Sequence, residues 1–171
     1  VGSLWQDKTT GHNGALAQAQ PKLLDVMTKN PRTVGPETEL REAVAIMRDN
    51  GIGFLPVVGF EDVPKGVLTD RDIAVRAFAG NVPLNAPVRD VMTSSAYSVN
   101  ENCTLDLALH LMETKQVGRV LVCNDAGKLT GVMSLGDAAV ACDGDGRTAS
   151  VSKSLALRNQ SHPSPSLPTL L

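Results

Sequence analysis

A chain of 171 residues with a formal net charge of −2 has room for one ordinary domain, or two very small ones sharing a core, and carries no basic surplus with which to hold a polyanion. Its 42% apolar and 20% charged residues are those of a soluble globular protein. At 3% aromatic content, Trp5, Phe54, Phe60, Phe78 and Tyr97 are too scattered to stack single-stranded bases, so nucleic acid is not an expected partner.

In chain order, the first 20 residues are polar and Gly/Gln-rich and are expected to form a flexible flank; the polar stretch before Ala15-Leu16-Ala17 lacks the apolar segment of a secretory signal. Asp25-Val26-Met27-Thr28 then opens a pattern that returns as Asp90-Val91-Met92-Thr93, an offset of 92 − 27 = 65. The same offset pairs Val34 with Val99, Leu40 with Leu105, Met47 with Met112, Gly53 with Gly118, Gly66-Val67 with Gly131-Val132, and Asp72 with Asp137. Two copies of one unit follow, over 21–86 and 87–142.

Each copy begins with a short strand, around Thr33-Val34 or Ser98-Val99. The stripes Leu40, Ala43, Val44, Met47 and Leu105, Ala108, Leu109, Met112 fall at i, i+3, i+4, i+7, the buried face of an amphipathic helix, which makes the methionines core. Gly51 ends the first helix as a left-handed cap, whereas Gln116 at the matching place predicts a different ending for the second. Two strands joined by a turn come next: Phe54–Val58 and Gly66–Thr69 in the first copy, Arg119–Cys123 and Gly131–Ser134 in the second. A second helix closes each copy, Arg71 to Ala79 and Gly136 to Cys142. The unit is β-α-β-β-α, an α+β fold in which one copy cannot bury both faces of its sheet, so the two pack with pseudo-two-fold symmetry. From 143 to 171 the Gly, Ser and Pro content predicts a disordered tail.

No apolar run is long enough to span a bilayer. Cys103, Cys123 and Cys142 are odd in number and lack CxxC spacing, which disfavours disulfides and structural zinc and makes a reducing cytoplasm the expected setting. His12, His110 and His162 form no cluster, and His110 reads as an ordinary helix residue. No nucleophile with a base, glycine-rich phosphate loop or metal-ligand set appears, so no catalytic residue, metal or catalytic cofactor is expected; the nearest candidate, Cys103, stands near a helix start that would lower its pKa, without an identifiable partner.

The Val-Met-Thr openings, Gly51-Ile52-Gly53-Phe54-Leu55-Pro56-Val57, Gly66-Val67-Leu68-Thr69-Asp70-Arg71-Asp72-Ile73 and Gly131-Val132-Met133-Ser134-Leu135-Gly136-Asp137 resemble the cystathionine-β-synthase (CBS) domain family from about Leu23 to Ala141. The resemblance implies a stand-alone, non-catalytic regulatory pair that dimerises, binds an adenosine-containing ligand (AMP, ATP, NAD(H) or S-adenosylmethionine) between its repeats, and signals to an effector protein. It also implies that Thr69 with Asp72, and Ser134 with Asp137, hold ribose and phosphate. A carboxylate accepts from both ribose hydroxyls, the hydroxyl serves ribose or phosphate, and a helix start offers free N–H groups. The same Ser/Thr-x-x-Asp spacing is also a capping box, in which these groups satisfy the backbone. Arg71 and Arg119 are the candidate phosphate cations, and Asp70 a charge that disfavours a triphosphate at the first site. Val34, Phe54 and Leu55, with Val99 and Val120, are the expected walls for the base. Arg71 is matched by Gly136 and Phe54 by Arg119, so the two clefts are expected to differ chemically.

Overall fold

The computed structural model of the chain describes residues 22–142 and 146–160. The flank before Pro21 and, within the tail, residues 143–145 and 161–171 lie outside them. Its elements are α1 (Leu23–Val26), β1 (Thr28–Lys29), α2 (Leu40–Asn50), β2 (Phe54–Val58), β3 (Pro64–Thr69), α3 (Asp70–Asp72, continued by a π-helical stretch Ile73–Phe78), β4 (Ser98–Asn100), α4 (Leu105–Lys115), β5 (Arg119–Cys123), β6 (Leu129–Ser134), α5 (Leu135–Ala141) and α6 (Ala149–Gln160).

The duplication governs the backbone in detail. β2 and β3 are antiparallel with Phe54 opposite Thr69, and β5 and β6 repeat this with Arg119 opposite Ser134. Both hairpins shift register at the same repeat position, between Val57 and Val58 and between Val122 and Cys123. The predicted opening strand is complete only in the second copy, where β4 runs parallel to β5; in the first it shrinks to a bridge between Val34 and Val57.

The two helices with the apolar stripes end alike, which corrects the expectation for the second. Gly51 has φ 62° and ψ 33°, and Gln116 adopts the same left-handed conformation at φ 52° and ψ 48°. In both cases the amide of the cap bonds back to the last turn of the helix, and that geometry is kept whether or not the residue is glycine. A Cβ on Gly51 would meet nothing within 4 Å, so Gly51→Ala is a pure backbone test. It is expected to destabilise the chain by about 1 kcal/mol, read from urea unfolding.

The units of sequence and the units of packing do not coincide. Residues that open one repeat dock on the other: β1 pairs with β6, and Thr93, one repeat later, bridges to Val67 of β3. Glycines make the approach possible, because a Cβ on Gly66 would strike the carbonyl oxygen of Thr93, and one on Gly131 would strike the sulfur of Met27. Accordingly, one core joins Leu23 and Met27 to Leu105, Met112, Val122 and Met133, while the other joins Val88 and Val91 to Leu40, Leu55, Val57 and Leu68. The opening of each sequence copy is therefore packed in the core of the other.

The predicted disorder from 143 onward is also corrected for part of that segment, since Ala149–Gln160 is helical. Val151 is 1% exposed in the core that holds Leu105 and Met112, and Leu155, four residues on, packs against it, so this helix lies on α4. Two apolar residues one turn apart are enough to dock a helix, and the surrounding serines conceal them from a compositional reading.

Candidate functional site

Two cavities of about 500 Å³ and 490 Å³ lie between the repeats. The first contains Ser134 and Asp137 of the second repeat against Asn50–Phe54 and Thr28–Arg32 of the first; the second contains Thr69 and Asp72 of the first against Lys115–Arg119 and Thr93–Tyr97 of the second. Each of the 14 residues around the first has its partner at offset 65 around the second, and Leu155 of α6 alone has no counterpart. Phe54 and Arg119 hold the same repeat position and meet at the pseudo-two-fold axis, the guanidinium carbon 5.5 Å from the ring centre, so each borders both cavities.

Both Ser/Thr-x-x-Asp sequences form complete capping boxes. Oδ2 of Asp72 accepts from the Thr69 amide at 3.0 Å and from its hydroxyl at 2.7 Å, while the Asp72 amide donates to Thr69 Oγ1 at 3.1 Å. Asp137 and Ser134 reproduce this at 2.8, 2.7 and 3.1 Å. The capping reading is thus realised in both copies, with one carboxylate oxygen serving the helix start, and each carboxylate also borders a cavity.

The helix starts offer less than expected. In α3 the amides of Asp70, Arg71 and Asp72 are taken by Gly53 O, Asp70 Oδ1 and Thr69 Oγ1, and in α5 those of Leu135 and Asp137 are taken by Gly118 O and Ser134 Oγ. The hydroxyls of Thr69 and Ser134 already donate to their own aspartates. Cations remain as the groups for an anion: Arg32 and Arg119 at the first cavity, Lys115 and Arg119 at the second, none of which forms an ion pair among the described residues.

Several expected site residues stand elsewhere. Arg71 is exposed and borders neither cavity, and Asp70 faces Gly53 outside both. Val34, Leu55 and Val120 are buried at 5%, 0% and 1% exposure inside the two cores, and Val99 packs against the core that holds Leu105 and Met112. Strand alternation is the reason: Phe54 and Arg119 point to the repeat interface, so their neighbours Leu55 and Val120 point away from it. The apolar walls are instead Ile52, Pro56 and Val132 at the first cavity, and Tyr97, Val117 and Leu121 at the second. Internal symmetry was the signal for these, because Arg32 and Tyr97, or Ile52 and Val117, are 65 apart just as the aspartates are.

Burial raises the thiol pKa of Cys103 and of Cys123, the opposite of the activation that a helix start suggested for Cys103. His110 is exposed on α4. Among the described residues, no group of three or more His, Cys, Asp or Glu is placed to hold a metal ion, and no helix is long and apolar enough to cross a membrane.

Comparison with known proteins accounts for this arrangement. The chain matches the CBS domain model over residues 23–77 and 88–144. It is 40% identical over 116 residues to the CBS domain-containing protein YhcV of Bacillus subtilis, covering 68% of this chain and 81% of that one. It is 34% identical over 116 residues to Hypoxic response protein 1 of Mycobacterium tuberculosis, covering 67% and 80%. The crystal structure of Hypoxic Response Protein I with two coordinated zinc ions superposes with a TM-score of 0.62 at 31% identity, over 70% of this chain and 98% of that one. CBSX2 in complex with AMP superposes with a TM-score of 0.62 at 26% identity, over 71% and 95%. With both repeats matched and their exchanged openings shared in one two-fold body, this chain belongs to the CBS-domain family as a tandem pair.

Proposed function

We propose that the chain is a non-catalytic regulatory module that binds an adenosine-containing ligand between its repeats and passes its occupancy to an effector protein. The pair of cavities related by the 65-residue offset carries this reading, because each joins a carboxylate, an unpaired cation and apolar walls within a volume suited to a nucleoside monophosphate. The carboxylate suits a ribose diol, Arg119 and Arg32 suit phosphate, and Ile52 or Val117 suits the base. A similar protein solved with AMP supports the same class of ligand. AMP is the simplest occupant; ATP, NAD(H) and S-adenosylmethionine share the adenosine that the clefts would grip. Cys103 and Cys123, which carry thiols outside any disulfide, support a reducing, cytoplasmic setting.

A homodimer is part of the proposal. Val75 and Val140 occupy the same repeat position on the second helices and are 56% and 83% exposed, with Phe78 beside Val75 at 85%. An apolar surface repeated by the duplication suits a second copy of the chain. Regulation then follows from any ligand that prefers one dimer arrangement over another.

Heating the purified chain with and without 1 mM AMP, ATP, NADH or S-adenosylmethionine tests the reading, with light scattering on the same samples for the dimer. At about 100 times the dissociation constant a ligand stabilises the folded state by about 2.7 kcal/mol, so a rise of several degrees is expected for at least one of them. No rise with any of the four removes the sensor reading and leaves an interaction module with empty clefts.

A further inference from the structure

The duplication makes the two clefts equal in outline, and one side chain makes them unequal in chemistry. Arg76 lies one helical turn beyond Asp72, and its Nη1 is 3.3 Å from Asp72 Oδ1, the oxygen that the capping box leaves over. The same nitrogen reaches the carbonyl oxygens of Val91 and Met92 at 3.0 Å each and Thr93 Oγ1 at 3.1 Å. Thr93 Oγ1 in turn lies 3.5 Å from Asp72 Oδ1. The guanidinium is therefore fixed to the opening segment of the second repeat, and Asp72 is occupied through both oxygens. At the other cleft the residue 65 positions after Arg76 is Ala141, which has no side-chain donor. Thr28, the counterpart of Thr93, makes no bond to Asp137, and Asp137 Oδ1 has no hydrogen-bond or ion-pair partner among the described residues.

Resting on the adenosine-binding reading above, we infer that Arg76 closes Asp72 to a ribose diol and leaves the Asp137 cleft as the single nucleoside site of each chain. A vicinal diol needs an acceptor with free lone pairs. Asp137 Oδ1 offers it directly, whereas Asp72 offers it only if Arg76 moves, which would strip two backbone carbonyls and a carboxylate of their charged partner. Arg76 is in this sense a specificity-determining residue: it decides which of two similar cavities takes the ligand.

Calorimetric titration of the full chain with AMP tests this, with circular dichroism verifying that each variant is folded. The wild-type chain is expected to take one AMP. Asp137→Asn keeps an oxygen for the Ser134 amide but puts a donor where the diol needs an acceptor, and should weaken binding at least tenfold; Asp72→Asn should leave the affinity within twofold. Arg76→Met keeps the apolar stem without the charge, and should raise the stoichiometry to two, with the added site lost in the Arg76→Met, Asp72→Asn double variant. Should Arg76→Met fail to fold, Arg76→Gln, which retains a donor for the Met92 carbonyl, takes its place with the same expected result. Two AMP per wild-type chain, binding that depends on Asp72 instead of Asp137, or a stoichiometry still at one once the guanidinium is gone overturns the inference while leaving adenosine binding standing. No AMP taken up by any of the chains overturns both.

Discussion

Arg119→Ala is expected to weaken AMP binding by roughly 10- to 100-fold and to leave the ligand-free chain folded. A charge-assisted hydrogen bond contributes about 1.5–3 kcal/mol, and each 1.4 kcal/mol is a factor of ten in affinity, which sets that range. Arg119 opens β5 as an exposed residue, stacks on Phe54 at 5.5 Å and borders both cavities, so no alternative cleft escapes the change. Its removal also frees the Phe54 ring at the pseudo-two-fold axis. The core loses nothing, and surface substitutions of this kind alter stability by about 0.5 kcal/mol, so the melting temperature of the apo chain should move by about 2 °C or less. Arg119→Lys should recover part of the affinity, because it restores the charge without the planar fork and the stack. Titration at fixed ionic strength is the measurement, and an unchanged dissociation constant would mean that Arg119 only covers Phe54.

Leu23→Ala has the larger expected effect on the fold. Leu23 is fully buried, yet it sits in α1, a helix of four residues that no local interaction could maintain. What holds it is the core of the opposite repeat, with Leu105, Met112 and Met133, and the pairing of β1 with β6 immediately after. Truncating a buried leucine to alanine costs about 2–5 kcal/mol, which for a chain of this size lowers the melting temperature by roughly 5–20 °C. Val88 is the counterpart at offset 65 and is equally buried in the other core, so the exchange of openings operates in both directions. A fall of less than about 2 °C for Leu23→Ala would show that the first opening does not dock on the second repeat in solution.

What could be recognised in the sequence was whatever depends on neighbours along the chain. The 65-residue offset, the Leu40 and Leu105 stripes, the two hairpins, the Gly51 cap and the two capping boxes all arise from contacts a few residues apart, and each is present. Asp72, Asp137, Thr69, Ser134, Phe54 and Arg119 border the cavities from strand ends and helix starts, which are local features of the chain. Gln116 departs because composition gives only a preference for glycine in the left-handed region, and the helix ending around it fixes the backbone instead.

The rest required the assembled chain. Which face of a strand turns to a core and which to the other repeat cannot be read from alternation alone, so Leu55 and Val120, expected at the cleft together with Phe54 and Arg119, turn into the cores once the repeats pack. The exchange of Leu23 and Val88 between cores, the docking of α6 through Val151 and Leu155, and the contact of Arg76 with residues 15 to 17 positions away join segments that sequence order does not rank. The repeated amino-acid pattern determined that there are two like units and where their acidic residues fall. Long-range packing decided how those units share their ends, and a side chain present in only one copy made one carboxylate busy and left the other open.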